Sequence, residues 1–259
     1  MSSVYLSPMD FSDDEVERYA RQLVLAELGG PGQQRLKAAR VLVVGCGGVG
    51  GPAAMYLAAA GVGRITLVDG DRVALSNLHR QIQFATVEIG DEKTEATAGA
   101  LKAINPNVRV LQVFASMDAD NAPSWIADND IVIDGTDDFA TRLLVSDTCV
   151  MLGTPLVSAA LGRWNGQVGV FEGRPCYRCL VPEVPPDAET CQRVGVVGAL
   201  AGVVGSMAAL EAIKEITGAG ETLSGRLLIY DGLKGESRTV AVTADPACRA
   251  CGGRLTRPE

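Results

Sequence analysis

The feature that most constrains this chain is VLVVGCGGVG at residues 41–50, where an apolar run passes directly into a glycine cluster. The run predicts a buried strand. Gly45, Gly47 and Gly50 follow at G-x-G-x-x-G spacing, which lets the backbone turn sharply and approach a phosphate at a helix N-terminus. A redox dinucleotide and ATP both fit such a loop, and the rest of the chain has to separate them.

Short β-branched runs alternate with helical patterns along the 259 residues, which predicts an α/β fold. The expected architecture is Rossmann-like: a mixed, mainly parallel sheet with helices on both faces, in a single domain over residues 1–259. RVLVVG, RITLVDGD, VRVLQVFA, DIVIDGTDD and TPLVSAA supply the first five strands, and QVGVFEG, RLLIYDG and RTVAVTA read as antiparallel additions. GPAAMYLAAAG forms the first crossover helix, with Pro52 tolerated in its opening turn. A flexible N-terminus over about residues 1–12 and a mobile loop at PEVPPDAET, residues 182–190, are expected.

The uncharged stretch VGVVGALAGVVGSMAAL, residues 194–210, is bounded by Arg193 and Glu211. It falls short of the roughly twenty apolar residues that cross a bilayer. Gly198, Gly202 and Gly205 suit close packing against a sheet, so a buried helix is expected and a membrane span is not. A net charge of −8 and a single histidine argue against a nucleic-acid surface, whose footprint would be a basic stripe. The N-terminus carries no basic segment followed by an apolar run, so a cytoplasmic protein is expected.

In open α/β sheets ligands bind beyond the carboxyl ends of the strands. There the polar residues cluster: Asp69 and Asp71 after the second strand, and Asp134, Thr136, Asp137 and Asp138 after the fourth. Asp69 would hold a ribose if a nicotinamide cofactor were bound, but no proton-handling residue accompanies it; His79 reads as a solvated loop residue. Asn77, Arg80 and Lys93 are donors suited to phosphate oxygens, although the two cations also read as surface charges. Asp137 suits Mg²⁺ beside a nucleotide, or equally an N-cap for the helix that follows.

Of seven cysteines, Cys176 and Cys179, and Cys248 and Cys251, form two C-x-x-C pairs. In a cytosolic chain such pairs read as a four-sulfur structural zinc site, with a redox pair as the lesser reading. The ion would staple the C-terminal tail, about residues 244–259, to the loop after the QVGVFEG strand. Cys46 and Cys149 read as structural. Cys191, in ETCQRVG with Arg193 nearby, is either a nucleophile favoured as thiolate or an inert loop cysteine.

RYARQ, VGCGGVG, VDGD, SNLHRQ, GDEKTE, DGTDD, PCYRCL, TCQRVGV and the terminal C-x-x-C occur in one order from residue 17 to the tail. In that ordered set the chain resembles the E1-like adenylyltransferases of the MoeB and ThiF family, which activate ubiquitin-like sulfur carriers. The resemblance implies that Gly45, Gly47, Gly48 and Gly50 line an ATP site and that Asp69 binds ribose. It implies that Asn77, Arg80 and Lys93 grip the phosphates, that Ser76 belongs to the same nucleotide site and that Asp137 holds Mg²⁺. Asp138 stands where the family usually has Asn, which puts its polar contact to the nucleotide in question.

The same resemblance implies a homodimer, with Arg21 reaching into the partner's site, and a covalent link between Cys191 and the activated carrier. The expected partner is a small ubiquitin-like sulfur carrier. No sulfurtransferase domain follows the zinc pair, so a separate sulfur donor is expected. The expected reaction is adenylation of the carrier's C-terminal glycine, ahead of thiocarboxylation in molybdopterin, thiamine or related biosynthesis. An enzyme adenylating a tRNA modification, a nicotinamide oxidoreductase and a non-catalytic nucleotide-binding scaffold are the alternatives.

Overall fold

The computed structural model describes residues 11–186 and 195–253. Two N-terminal helices, α1 (Asp13–Leu23) and α2 (Gly29–Ala38), precede β1 (Arg40–Val44), α3 (Gly50–Ala60), β2 (Arg64–Val68), α4 (Lys93–Ile104) and β3 (Arg109–Val113). α5 (Ala122–Ala127), β4 (Ile131–Asp134), α6 (Phe139–Leu152), β5 (Leu156–Gly162) and β6 (Asn165–Phe171) follow. α7 (Tyr177–Leu180), α8 (Gly198–Thr217), β7 (Arg226–Asp231) and β8 (Glu236–Ala241) complete the described chain.

The strands form one eight-stranded sheet in the order β3-β2-β1-β4-β5-β6-β7-β8. Pairing is parallel from β3 to β5 and antiparallel from β5 to β8, as expected from the sequence. Side chains of β1 alternate between two cores. Val41 and Val43 pack with α3 and α8 on one face, while Leu42 and Val44 pack with α5 and α6 on the other. Burial on both faces is why this strand reads as an unbroken apolar run. Strand order reverses between β1 and β4, and the crevice that this opens is where a doubly wound sheet binds ligands.

The uncharged stretch is a buried helix, though not with the boundaries expected. α8 runs to Thr217, so Glu211 lies inside it, buried, accepting the Leu223 amide at 2.8 Å and pairing with Lys214 at 2.5 Å. The glycines also divide. A Cβ on Gly205 would stand 2.6 Å from the Val49 carbonyl, and one on Gly198 would stand 2.0 Å from the His79 carbonyl, whereas Gly202 has open space. The close approaches are to the glycine loop, the start of α3 and the 79–80 segment rather than to the sheet. Among the described residues no helix is long and apolar enough to cross a membrane.

Candidate active site

A cleft of about 810 Å³ opens over the carboxyl ends of the strands. Gly45, Gly47, Gly48, Asp69, Ser76, Asn77, Arg80, Lys93, Asp137 and Asp138 all line it. Gly50 does not. It begins α3 beneath the loop, where its bare Cα lets the helix close against the Gly45 carbonyl. Gly45 itself has φ +87°, a left-handed conformation that glycine adopts without strain.

Asp69 joins the glycine loop to the end of β2. One carboxylate oxygen accepts the Cys46 amide at 2.7 Å and the other the Asp71 amide at 2.8 Å. Burial pushes its carboxyl above the ordinary value, and Lys93 with these two amides pulls it back. Burial likewise pushes the Cys46 thiol well up, with Asp69 adding to the effect, so this cysteine is a protonated filler of the loop. Gln83 supports the loop from behind, donating to the Cys46 carbonyl at 2.8 Å.

The cations enter from the segment between β2 and α4. Arg80 donates to the Ser76 carbonyl at 3.0 Å, closing a turn whose next rung runs from the Arg80 amide to the Asn77 carbonyl at 3.0 Å. Lys93 is the first residue of α4, and its ammonium bonds Asp71 at 2.7 Å. Arg80 and Lys93 thus flank one opening, so neither is an isolated surface charge.

The three acidic residues at and just after the end of β4 divide their labour. Asp134 is wholly buried, accepts from the Thr136 amide and hydroxyl at 3.0 and 2.6 Å, and pairs with Arg142 at 3.7 Å. Asp138 caps α6, accepting the Thr141 amide and hydroxyl at 2.7 Å each. Burial works against its ionisation, but these two bonds prevail and hold the carboxyl below its ordinary value. Asp137 is exposed and faces the cleft with no hydrogen-bond partner among the described residues. The cap therefore falls to Asp138, and the free carboxylate is that of Asp137, a suitable donor for a hard divalent cation.

Arg142 is the residue that sequence reasoning missed. Buried on α6, it donates to the Thr136 and Ala159 carbonyls and to Ser158 Oγ, the last at 3.2 Å, and so braces the 135–138 loop against β5. An arginine inside the apolar run FATRLLV was its only signal.

Cys176, Cys179, Cys248 and Cys251 converge, their sulfurs all within 4.8 Å of one another and the closest pairs at 3.4 and 3.6 Å. A tetrahedron of Zn–S bonds of about 2.3 Å has edges of about 3.8 Å, so the set can hold such an ion. Burial opposes the thiolate at Cys248, but the amides of Cys251 and Ala250 outweigh it and bring the thiol down to about 7. Between the first pair, Arg178 bonds Asp147 at 2.6 and 2.7 Å, fastening the knuckle to α6, and Tyr177 lies over Arg142 at 6.0 Å. Arg21, exposed on α1, does not line the cleft. Cys191 lies outside the described residues, as do residues 187–190 of the acidic loop and residues 1–10.

The fold is shared with solved structures of low sequence identity. E. coli MccB superposes with a TM-score of 0.81 at 23% identity over 97% of this chain and 76% of that one. PaaA does so with 0.77 at 24%, over 93% and 77%. The sulfur carrier protein adenylyltransferase of Thermus thermophilus is 44% identical over 97% of this chain and 96% of its own length. The adenylyltransferase and sulfurtransferase MOCS3 of Bos taurus is 47% identical over 98% of this chain, which spans only 58% of that protein. The ThiF family model matches residues 19–250, which take in the glycine loop, both cations, the loop after β4 and three of the four clustered cysteines; the chain belongs to the ThiF family.

Proposed function

We propose that this protein uses ATP to adenylate the C-terminal glycine of a small ubiquitin-like sulfur carrier protein, preparing it for thiocarboxylation in molybdopterin, thiamine or related sulfur-transfer biosynthesis. One observation carries the reading: in a ThiF-family chain, glycine loop, Asp69, Arg80, Lys93 and an uncommitted Asp137 all border one cleft. Relatives named for this activity support it.

The chemistry asks little of a general base. The carrier's terminal carboxylate is already ionised at neutral pH and attacks the α-phosphorus; a new acyl–phosphate bond forms as the bond to pyrophosphate breaks. Catalysis then rests on alignment and on charge neutralisation. Gly45, Gly47 and Gly48 offer close backbone approach, Asp69 accepts from the ribose, Asn77 and Ser76 shape the phosphate side, and Arg80 and Lys93 meet the phosphate oxygens. When bound beside the nucleotide at Asp137, Mg²⁺ supplies further neutralisation of that charge.

The working unit is a homodimer. α1 is fastened at the amino ends of the strands by Tyr19, which accepts from Asn105 at 2.8 Å, and by Gln22, which donates to the Ala60 carbonyl at 3.1 Å. Arg21 is thereby held away from its own cleft and acts in the partner's. Exposed Val203 and Leu210 on α8 and Tyr56 on α3 supply apolar surface for that contact. The four-thiol cluster takes structural zinc. Sulfur from a separate sulfurtransferase or desulfurase then opens the adenylate, a carbon–sulfur bond forming at the glycine carbonyl as AMP leaves, with Cys191 taking the carrier as a thioester, by the same loss of AMP, where it serves as a covalent stop. The protein acts in the cytoplasm and binds neither nucleic acid nor membrane, as its acidic charge supports.

The test is ATP–pyrophosphate exchange with Mg²⁺ and each candidate carrier from the same genome, intact or lacking the last glycine. Exchange is expected with one carrier and only with its glycine. ATP binding without exchange for any carrier overturns the reading.

A further inference from the structure

Residues 71–73 and 90–93 form a short antiparallel ladder that brings the end of β2 to the start of α4. The Val73 amide donates to the Asp91 carbonyl, and the Gly90 amide to the Val73 carbonyl, each at 2.9 Å. At the cleft end of this ladder Asp71 holds Lys93 twice. Its carbonyl accepts the Lys93 amide at 3.0 Å and its carboxylate accepts Nζ at 2.7 Å. The Asp71 amide in turn donates to Asp69, whose other oxygen accepts from Cys46. One unbroken series of bonds therefore runs from the glycine loop through two aspartates to the ammonium.

The pair is lopsided. The Lys93 side chain is 8% exposed and that of Asp71 is 74% exposed. An ammonium so covered needs a partner, and among the described residues Asp71 is the carboxylate that forms an ion pair with it. A carboxylate so exposed loses little hydration on pairing, so the bond satisfies the covered ammonium at small cost. What the bond fixes is direction, because a lysine carries its charge on a flexible four-carbon stem. One of the three Nζ donors is spent on Asp71, and two stay available to phosphate oxygens.

We propose that Asp71 is a positioning residue, holding the Lys93 ammonium toward the phosphates of a nucleotide whose ribose meets Asp69. Ribose recognition and phosphate neutralisation are then mechanically joined through adjacent carboxylates. This rests on the nucleotide assignment made above.

A double-mutant cycle tests it, using Asp71→Ala in the natural chain and in a Lys93→Met background, with Lys93→Gln as a second background should the Met variant not fold. Two quantities are read: the Kd for Mg·ATP by calorimetry without carrier, and carrier-dependent exchange. Asp71→Ala is expected to weaken Mg·ATP binding about tenfold when Lys93 is present and less than about twofold when it is absent, with circular dichroism unchanged. Equal losses in both backgrounds, or no loss with Lys93 in place, would overturn the proposal. Coupling in Kd with no exchange by the unmodified protein would keep this proposal and remove the reaction. Exchange with equal losses in Kd would do the reverse.

Discussion

The Gly45 carbonyl oxygen occupies the place that a side chain on Gly50 would need: a Cβ there would stand 1.8 Å from it. The Gly50 amide is in turn only 2.7 Å from where a Cβ of Gly135 would sit, so the loops after β1 and β4 meet backbone to backbone at the point where strand order reverses. Gly50→Ala cannot be absorbed by a rotamer change, because the obstacle is main chain. It should cost about 3 kcal/mol or more and abolish ATP binding. Thermal unfolding and calorimetry would show both; a stable variant that binds ATP normally would refute the packing argument.

Gly99 is the opposite case. It is exposed within α4, and a Cβ there would meet nothing within 4 Å. Gly99→Ala should therefore stabilise the protein by about 0.5–1 kcal/mol through helix propensity, with exchange activity unchanged. Urea unfolding is the check.

Asp137 and Asp138 should separate cleanly. Asp137→Asn removes an exposed carboxylate with no hydrogen-bond partner among the described residues, and should reduce exchange at least about 100-fold with an unaltered melting curve. Asp138→Ala removes the α6 cap and should cost about 1 kcal/mol. The folded-state pKa of Asp138 is depressed, so its contribution is fully present above the unfolded-state value near 3.9 and is lost as pH falls through the lower folded value. Melting of Asp138→Ala and the natural protein should therefore converge toward the acid end, and a gap that widens on acidification would contradict the capping role.

Arg142→Met would leave the wholly buried Asp134 without its cation. Breaking one side of a buried pair costs about 3 kcal/mol, at the lower end of the usual range here because Thr136 and Ser158 still bond the carboxylate. Adding Asp134→Asn should restore part of the loss. Denaturant midpoints for the single and double variants would decide it.

Cys248→Ser should lower bound zinc from about one ion per chain toward none and lower the melting temperature, since a structural ion contributes its binding energy to folding. Metal analysis of the purified chain before and after is the measurement. Stoichiometric metal retained by the variant would exclude the four-sulfur site.

Local patterns were legible in the chain; through-space partnerships were not. Most of the eight strands stand out as β-branched or apolar runs ended by glycine or acid, and the two C-x-x-C pairs announce their own convergence. In the sequence Asp137 stays open between metal donor and cap, because neighbouring aspartates both suit a cap and only the backbone decides that Asp138 is the one that reaches Thr141. α2 opens with GGPG, which carries no helix signal; it forms because Gln33 and Leu36 are buried against neighbours distant in the chain. Arg142 and the Asp71–Lys93 bond depend on segments that meet only after the sheet is assembled.

The four-cysteine cluster also unsettles where this fold can be said to stop. The last strand closes at Ala241, and a map drawn from helices and strands would place the boundary there. A chain shortened to that point would keep every strand and helix described, yet would lose Cys248 and Cys251, half of the donors that tie the tail to α6 and α7. Its integrity would then turn on what was clipped from an unstructured-looking end, and a deletion series should fail abruptly between Ala241 and Cys251 instead of fading residue by residue.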